Sequence, residues 1–214
     1  MLEIENFQYK IGRQKSPVFN LKISSNSLNI ITGNNGEGKT LFFKSLCSKQ
    51  SVSSGTFFWL GKNVDPGYLP IAYTAVNDYE RFNLKVSEYF NYIEHLFKLD
   101  RKKIVELINL WKFGKQLKTK ISNLSDGEKK RLIIIEAELL DMPIVLFDEP
   151  ESSLDSKFRA QWLSYVKMIS SKRVVFIATH FPDIYKNICH SLIDLQEDKV
   201  EVTSYNSVSE NLEL

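Results

Sequence analysis

Apolar positions change their spacing three times along the chain. Phe7, Tyr9 and Ile11 alternate with polar neighbours, as do Phe19, Leu21 and Ile23, the period-two pattern of strands with one buried face. LNIIT (28–32) is a largely apolar run of buried-strand length that ends on a glycine-rich stretch. Beyond it, TLFFKSLCSK (40–49) reads as helix and SSGTFFWLG (53–61) as strand between glycines. From Val86 to Trp111 the spacing becomes three and four: Phe90, Ile93 and Phe97, then Ile104, Leu107, Ile108 and Trp111, which predicts a helical insertion. The lysine-rich KFGKQLKTK (112–120) is expected to be a solvated connection. A helix is predicted from about Asp126 to Leu140, with Pro143 as punctuation, then the strand IVLFDE (144–149), a helix around Phe158 to Ser170, and the strand RVVFIATH (173–180). Strands alternating with helices after residue 28 predict an α/β fold with a largely parallel core sheet.

Composition changes this picture little. A chain of 214 residues, 43% of them hydrophobic, is long enough for one large core or one core with a smaller subdomain. Lysine plus arginine number 28 against 26 acids, a formal charge of +2, so charge does not argue for nucleic-acid binding. Cys47 and Cys189 stand far apart with no metal or disulfide spacing, which fits a reducing cytosol. The start, MLEIENFQYKIG, carries acids where a signal peptide carries bases. The longest apolar run, LIIIEAELL (132–140), is broken by glutamates and falls short of the ~20 residues of a membrane helix. Any membrane role therefore calls for a partner.

Three stretches carry candidate chemistry. GNNGEGKT, from Gly33 through Asn34, Asn35, Gly36, Glu37, Gly38 and Lys39 to Thr40, fits G-x-x-x-x-G-K-[ST] at every position. Its glycines let the backbone turn amide hydrogens inward on phosphates, Lys39 brings a mobile point charge, and the Thr40 hydroxyl is a candidate magnesium ligand. A strand before it and a helix after it are what that mechanism needs. IVLFDE delivers Asp148 and Glu149 at the carboxyl end of a buried strand, where α/β proteins place ligands. Asp148 is expected to hold magnesium through water, and Glu149 to act as general base on the attacking water or to orient it. Two acids at a strand end are as often plain surface charge; the phosphate loop is what makes them functional candidates. His180 ends the next core strand, placed to hydrogen-bond a γ-phosphate, and only that place recommends it over a structural histidine. LSDGEKKR (124–131) has two readings. Ser125 and Glu128 form a capping box that starts a helix, and the same letters approach a phosphate-reading signature.

In this order the motifs resemble those of the ATP-binding cassette ATPases over nearly the whole chain. Gly33–Thr40 is similar to that family's Walker A loop, LSDGE (124–128) to its signature LSGGQ, LFDEP (146–150) to its Walker B strand, SSLD (152–155) to its D-loop, and ATH (178–180) to its switch histidine. The resemblance implies a P-loop NTPase of the cassette type, one α/β domain over residues 1–214. It would have a mixed, largely parallel core sheet, an N-terminal antiparallel β subdomain and a helical subdomain at about 86–142. It also implies two cassettes sandwiching two ATP molecules, so that Ser125 and the Gly127 backbone of one chain face the γ-phosphate in the loop of the other. Asp155 would then lie across the interface. The implied reaction is hydrolysis of ATP to ADP and phosphate with Mg2+, carried by Lys39, Glu149 and His180.

Three features depart from the pattern. Asp126 stands where the family has glycine and Glu128 where it has glutamine; near a phosphate these carboxylates repel, while at a helix start they favour the dipole. Val76 falls at the position of a glutamine that reaches magnesium in the family, and Asn77 is the nearest amide. The residue before Gly12 is Ile11, which leaves Tyr9 as the candidate to stack on adenine, with ordinary strand packing as its alternative. The leading expectation is the energy-supplying subunit of a transporter, an exporter rather than an importer. It would be paired with a like or unlike cassette and with separate membrane-spanning subunits at the cytoplasmic face, without nucleic acid. Alternatives are a cassette that drives a cell-division or nucleic-acid complex, and a weakly hydrolysing cassette suggested by Val76 and Asp126.

Overall fold

The computed structural model describes residues 1–48, 52–73, 79, 83–152 and 154–205. The chain divides into two compact units, the first formed by Met1–Ile71, Pro143–Glu149 and Leu163–Leu214, the second by Ala72–Met142 and Pro150–Trp162.

The first unit carries two sheets. β1 (Leu2–Ile11), β2 (Gln14–Lys15), β3 (Phe19–Ile23), β5 (Val52–Trp59) and β6 (Lys62–Val64) pair antiparallel in the order β2-β1-β5-β6, with β3 also on β1. The register of β1 on β3 shifts between Ile4 and Phe7, and Asn6 within that shift has φ 50°. The bulge moves the alternation by one residue, so that Leu2 and Ile4 share the buried side with Phe7 and Tyr9. Phe7 packs its ring 5.2 Å from Phe19, 5.4 Å from Phe57 and 5.8 Å from Phe42. Phe42 belongs to α1 (Lys39–Cys47), so this aromatic cluster seats the helix that follows the glycine-rich loop.

The second sheet contains β4 (Ser27–Thr32), β8 (Ile144–Asp148), β9 (Val174–Ala178), β10 (Ser191–Leu195) and β11 (Val200–Ser204) in the order β11-β10-β4-β9-β8, with β7 (Ile71–Tyr73) flanking β8. β10, β4, β9 and β8 run parallel, and the near-continuous apolar sequences of β4, β8 and β9 follow from burial on both faces, whereas β10 alternates. Ile31 and Asp148 both pair with Ala178, so the carboxyl ends of β4, β8 and β9 lie level. That edge is where the loop after β4, the acids after β8 and the histidine after β9 all emerge.

The second unit is helical. α2 (Val86–Phe97) and α3 (Arg101–Leu110) form where one apolar pattern was read; Lys98 at φ 53° ends the first helix and the Asp100 side chain caps the second, accepting from Lys102 N at 2.9 Å. α4 (Asp126–Leu140) buries four successive apolar residues, Leu132 to Ile135, and is thus surrounded rather than amphipathic. The connection 112–120 exposes its lysines, yet much of its backbone is hydrogen-bonded. Thr119 O and Leu117 O accept from Val86 N and Ser87 N at 3.0 Å each, and Gln116 Nε2 donates to Glu128 at 2.7 Å. The expected solvated linker is therefore a bonded brace that satisfies the first amides of α2. The last α-helix among the described residues, α5 (Ser156–Ser170), begins in this unit and passes into the first after Trp162. Among the described residues no helix is long and apolar enough to cross a membrane.

Candidate nucleotide-binding and catalytic site

The loop after β4 is shaped by glycines at two places that tolerate nothing else. A side chain on Gly33 (φ 144°) would put its Cβ 2.6 Å from Leu195 O. Gly38 (φ 96°) is the left-handed N-cap of α1, and a Cβ there would meet the Tyr9 ring and hydroxyl at 3.3 Å. The first amides of α1 are left free of helical partners and open toward the loop, the arrangement that receives an anion. Lys39 is buried and its ammonium donates to Gly33 O at 2.7 Å and Asn34 O at 3.2 Å. Burial lowers its pKa, while the charges of Glu149, Asp148 and Glu37 oppose that shift, so a cation is held where three carboxylates converge. Glu37 folds back on the loop and accepts from the backbone N–H of Asn34 and, at 2.9 Å, from its side chain.

Beside Lys39, the Thr40 hydroxyl donates to Asp148 Oδ2 at 2.7 Å. A hydroxyl and a carboxylate oxygen at the head of an anion cradle suit Mg2+, a hard cation that takes few protein ligands and completes its shell with phosphate oxygens and water. Among the described residues no group of three or more His, Cys, Asp or Glu could hold a metal without such help.

One residue further, Glu149 adopts φ 48°, left-handed backbone that a non-glycine residue takes at a cost of about 1 to 3 kcal/mol. The conformation is held because Glu149 N donates to Ala178 O at 2.8 Å, across the edge where β8 and β9 end. Its carboxylate lies 3.0 Å from His180 Nε2. His180 is placed in turn by Thr179, which is fully buried, bonds Ile31 O through its N–H at 3.0 Å and accepts from Phe181 N at 2.8 Å. Lys39, Thr40, Asp148, Glu149 and His180 thus lie in one unit, bracketed by three strand ends.

The other unit carries the second group of candidates. Ser125 caps α4: its hydroxyl accepts from Glu128 N at 3.4 Å, and Glu128 Oε2 accepts from Ser125 N at 2.9 Å. Burial would raise the pKa of Glu128, but the hydrogen bonds from Ser125 and Gln116 and the charge on Arg131 hold it below the usual carboxylate range. The two acids of the signature therefore separate. Glu128 is turned back into the cap, whereas the Asp126 side chain is 72% exposed, with Lys129 Nζ 4.0 Å away. Gly127, between them, is partly exposed on the first turn of α4. Asp155 caps α5, its carboxylate accepting from Phe158 N at 3.0 Å.

Tyr9 requires a correction. Its side chain is 1% exposed, packed among Phe7, Phe19 and Phe42, and burial raises its pKa far above the ordinary phenol value. No ring face is offered to a base; Tyr9 instead supports Gly38 from beneath. Val76 and Asn77 lie outside the described residues. Two features escaped the sequence reading, the clamp that Glu37, itself a loop candidate, makes on Asn34, and Arg131 beside the signature cap. For the second a signal existed, since Glu128 and Arg131 stand three apart on a helix.

Residues 18–152 match the family model described as ABC transporter. The chain belongs to the ABC transporter family. Its fold is that of the family's ATP-binding cassette, an ATPase module. Over 170 residues it is 28% identical to ABC transporter I family member 1 of Arabidopsis thaliana, covering 76% of this chain and 74% of that protein. It is also 28% identical over 202 residues to the phosphate import ATP-binding protein PstB of Mycoplasma pneumoniae. That match covers 84% of this chain but 61% of the relative, so the chain spans less than two thirds of the import protein's length. Among solved structures, a dimeric ATP-binding cassette in a post-hydrolysis state, bound to ADP and Pi, matches with TM-score 0.76 at 19% identity, over 96% of this chain and 99% of that chain. At that identity the likeness speaks for the fold alone.

Proposed function

We propose that this cassette binds and hydrolyses MgATP as one half of a cassette dimer and thereby powers a transporter whose membrane-spanning subunits are separate chains. The observation that carries the reading is the convergence, in one unit, of a buried lysine in a glycine-shaped anion cradle, a hydroxyl–carboxylate pair at 2.7 Å and a carboxylate–imidazole pair at 3.0 Å. Residues Gly33 to Thr40 would hold the triphosphate, with Lys39 carrying charge that develops on the terminal phosphoryl group. Thr40 and Asp148 would hold Mg2+, which supplies Lewis-acid neutralisation of phosphate oxygens when bound. Glu149 orients and deprotonates the attacking water, and His180, hydrogen-bonded to that carboxylate, fixes its direction and reaches the γ-phosphate side. Ser125, the Gly127 amide and Asp155 would meet the nucleotide held by the partner cassette.

The family relation supports a transport role. The phosphate-import relative favours import, and the expectation of export finds no support in it. Docking to a membrane subunit at the cytoplasmic face is supported by the apolar residues that α2 leaves in solvent, Tyr92, Leu96 and Phe97, each about half exposed. Glu149→Gln decides the catalytic assignment. ATP affinity is expected to stay within a few-fold of the parent, turnover to vanish, and the protein to elute as a dimer in ATP; turnover at the parental rate overturns the role of Glu149.

A further inference from the structure

Arg131, on α4, is only partly exposed. Its guanidinium lies 4.2 Å from the ring centroid of Phe158 and 5.5 Å from that of Phe113, and it donates to Trp111 O at 3.2 Å. Phe113 is fully buried and belongs to the brace that also sends Gln116 to Glu128, and Trp111, equally buried, ends α3 just before it. Burial lowers the pKa of Arg131, and the charges of Glu128 and Asp155 oppose that shift without cancelling it. Those acids do related work at two helix starts. Glu128 closes the cap on Ser125 at the start of α4, and Asp155 is the cap of α5, whose third helical residue is the same Phe158 that the guanidinium covers. Gln161, one turn further along α5, donates to Leu110 O at 2.9 Å and ties that helix to the end of α3. All of these groups lie in one unit.

We propose that Arg131 is a positioning residue for dimer-dependent hydrolysis: it holds the capped start of α4 and the capped start of α5 in one fixed relation, so that Ser125 and Asp155 reach the partner cassette together. The proposal rests on the dimeric reading above. A planar guanidinium suits this task because it can lie flat on an aromatic ring while its edge bonds a carbonyl and faces carboxylates; a lysine ammonium supplies the charge without the plane.

The test uses the full chain and compares Arg131→Lys and Arg131→Met with the parent in three measurements: ATP affinity at dilution, kcat and KM as functions of protein concentration, and melting temperature. ATP affinity is expected to remain within about twofold, because the phosphate loop is untouched, while kcat in the concentration-dependent regime falls about tenfold or more for Arg131→Met and by an intermediate factor for Arg131→Lys. Asp155→Asn added to Arg131→Met should then cost little further, since the carboxylate charge it removes is already misplaced. Parental kcat in Arg131→Lys and Arg131→Met overturns the proposal, as does a full additional loss from Asp155→Asn. Should Arg131→Met fail to fold, Arg131→Lys decides alone, with parental kcat counting against the proposal. A parent whose specific activity does not depend on its concentration would instead strike the dimeric reading, which separates the two failures.

Discussion

At the residue scale, charge placement makes sharper commitments than residue type. Lys39 gathers the carboxylates of Glu149, Asp148 and Glu37 around one buried ammonium. Lys39→Ala removes the only counter-charge within that group, and ATP affinity measured by titration is expected to fall at least about tenfold while the far-ultraviolet spectrum is retained. Asp126 makes a different commitment because its side chain is 72% exposed, with Lys129 Nζ 4.0 Å away. In Asp126→Gly, KM for ATP in the dimer-dependent reaction is expected to fall about two- to fivefold at low salt, a difference that shrinks at high salt, while the affinity of the dilute chain stays unchanged. Identical kinetics at low salt would show that this carboxylate never faces the partner's phosphate. The left-handed backbone of Glu149 was invisible in the sequence, where a glutamate after an aspartate carries no sign of positive φ; it arises because the edge of β9 captures its N–H.

At the scale of elements, legibility followed the locality of the forces. α4 was expected from Asp126 to Leu140 and spans those residues, because a capping box and a following proline mark its ends within the sequence itself. The parallel strands β4, β8 and β9 were equally plain, since burial on both faces writes itself as an apolar run; β10, whose burial alternates, carried no such run. The bulge in β1 and the break between α2 and α3 were not, as each rests on a single residue, Asn6 or Lys98, whose left-handed turn is chosen by packing. The brace at 112–120 was misread for a related reason: exposed lysines are visible in composition, and backbone hydrogen bonds are not. The cap of α4 should also respond to acid. The folded pKa of Glu128 lies below its unfolded value, so its contribution to stability is present above the ordinary carboxylate pKa of 4.5 and is lost as pH falls through the folded value. The melting-temperature advantage of the parent over Glu128→Gln is therefore expected at neutral pH and should disappear on acidification below that range; a gap independent of pH would mean the carboxylate charge is irrelevant to the cap. Ser125→Ala should cost about 1 kcal/mol in denaturant unfolding at neutral pH.

At the scale of the molecule, the exposed apolar residues of α2 separate coupling from catalysis. Leu96→Asp, at a position 56% exposed, is expected to reduce recovery of the cassette with membranes while leaving ATPase activity of the purified chain unchanged. Equal recovery would remove α2 as the docking element. The division of the chain has a second outcome. The phosphate loop, Asp148, Glu149 and His180 lie in one unit, whereas Ser125, Gly127 and Asp155 lie in the other. If each reaction centre is assembled from the first unit of one cassette and the second unit of its partner, the two kinds of damage are not equivalent within a pair. Lys39→Ala and Ser125→Arg, each inactive by itself, form a mixed dimer in which one centre has lost both halves and the other has lost neither. Two inactive preparations, unfolded and refolded together, should then regain hydrolysis that neither possesses: the chain behaves genetically as two separable cistrons written in one reading frame.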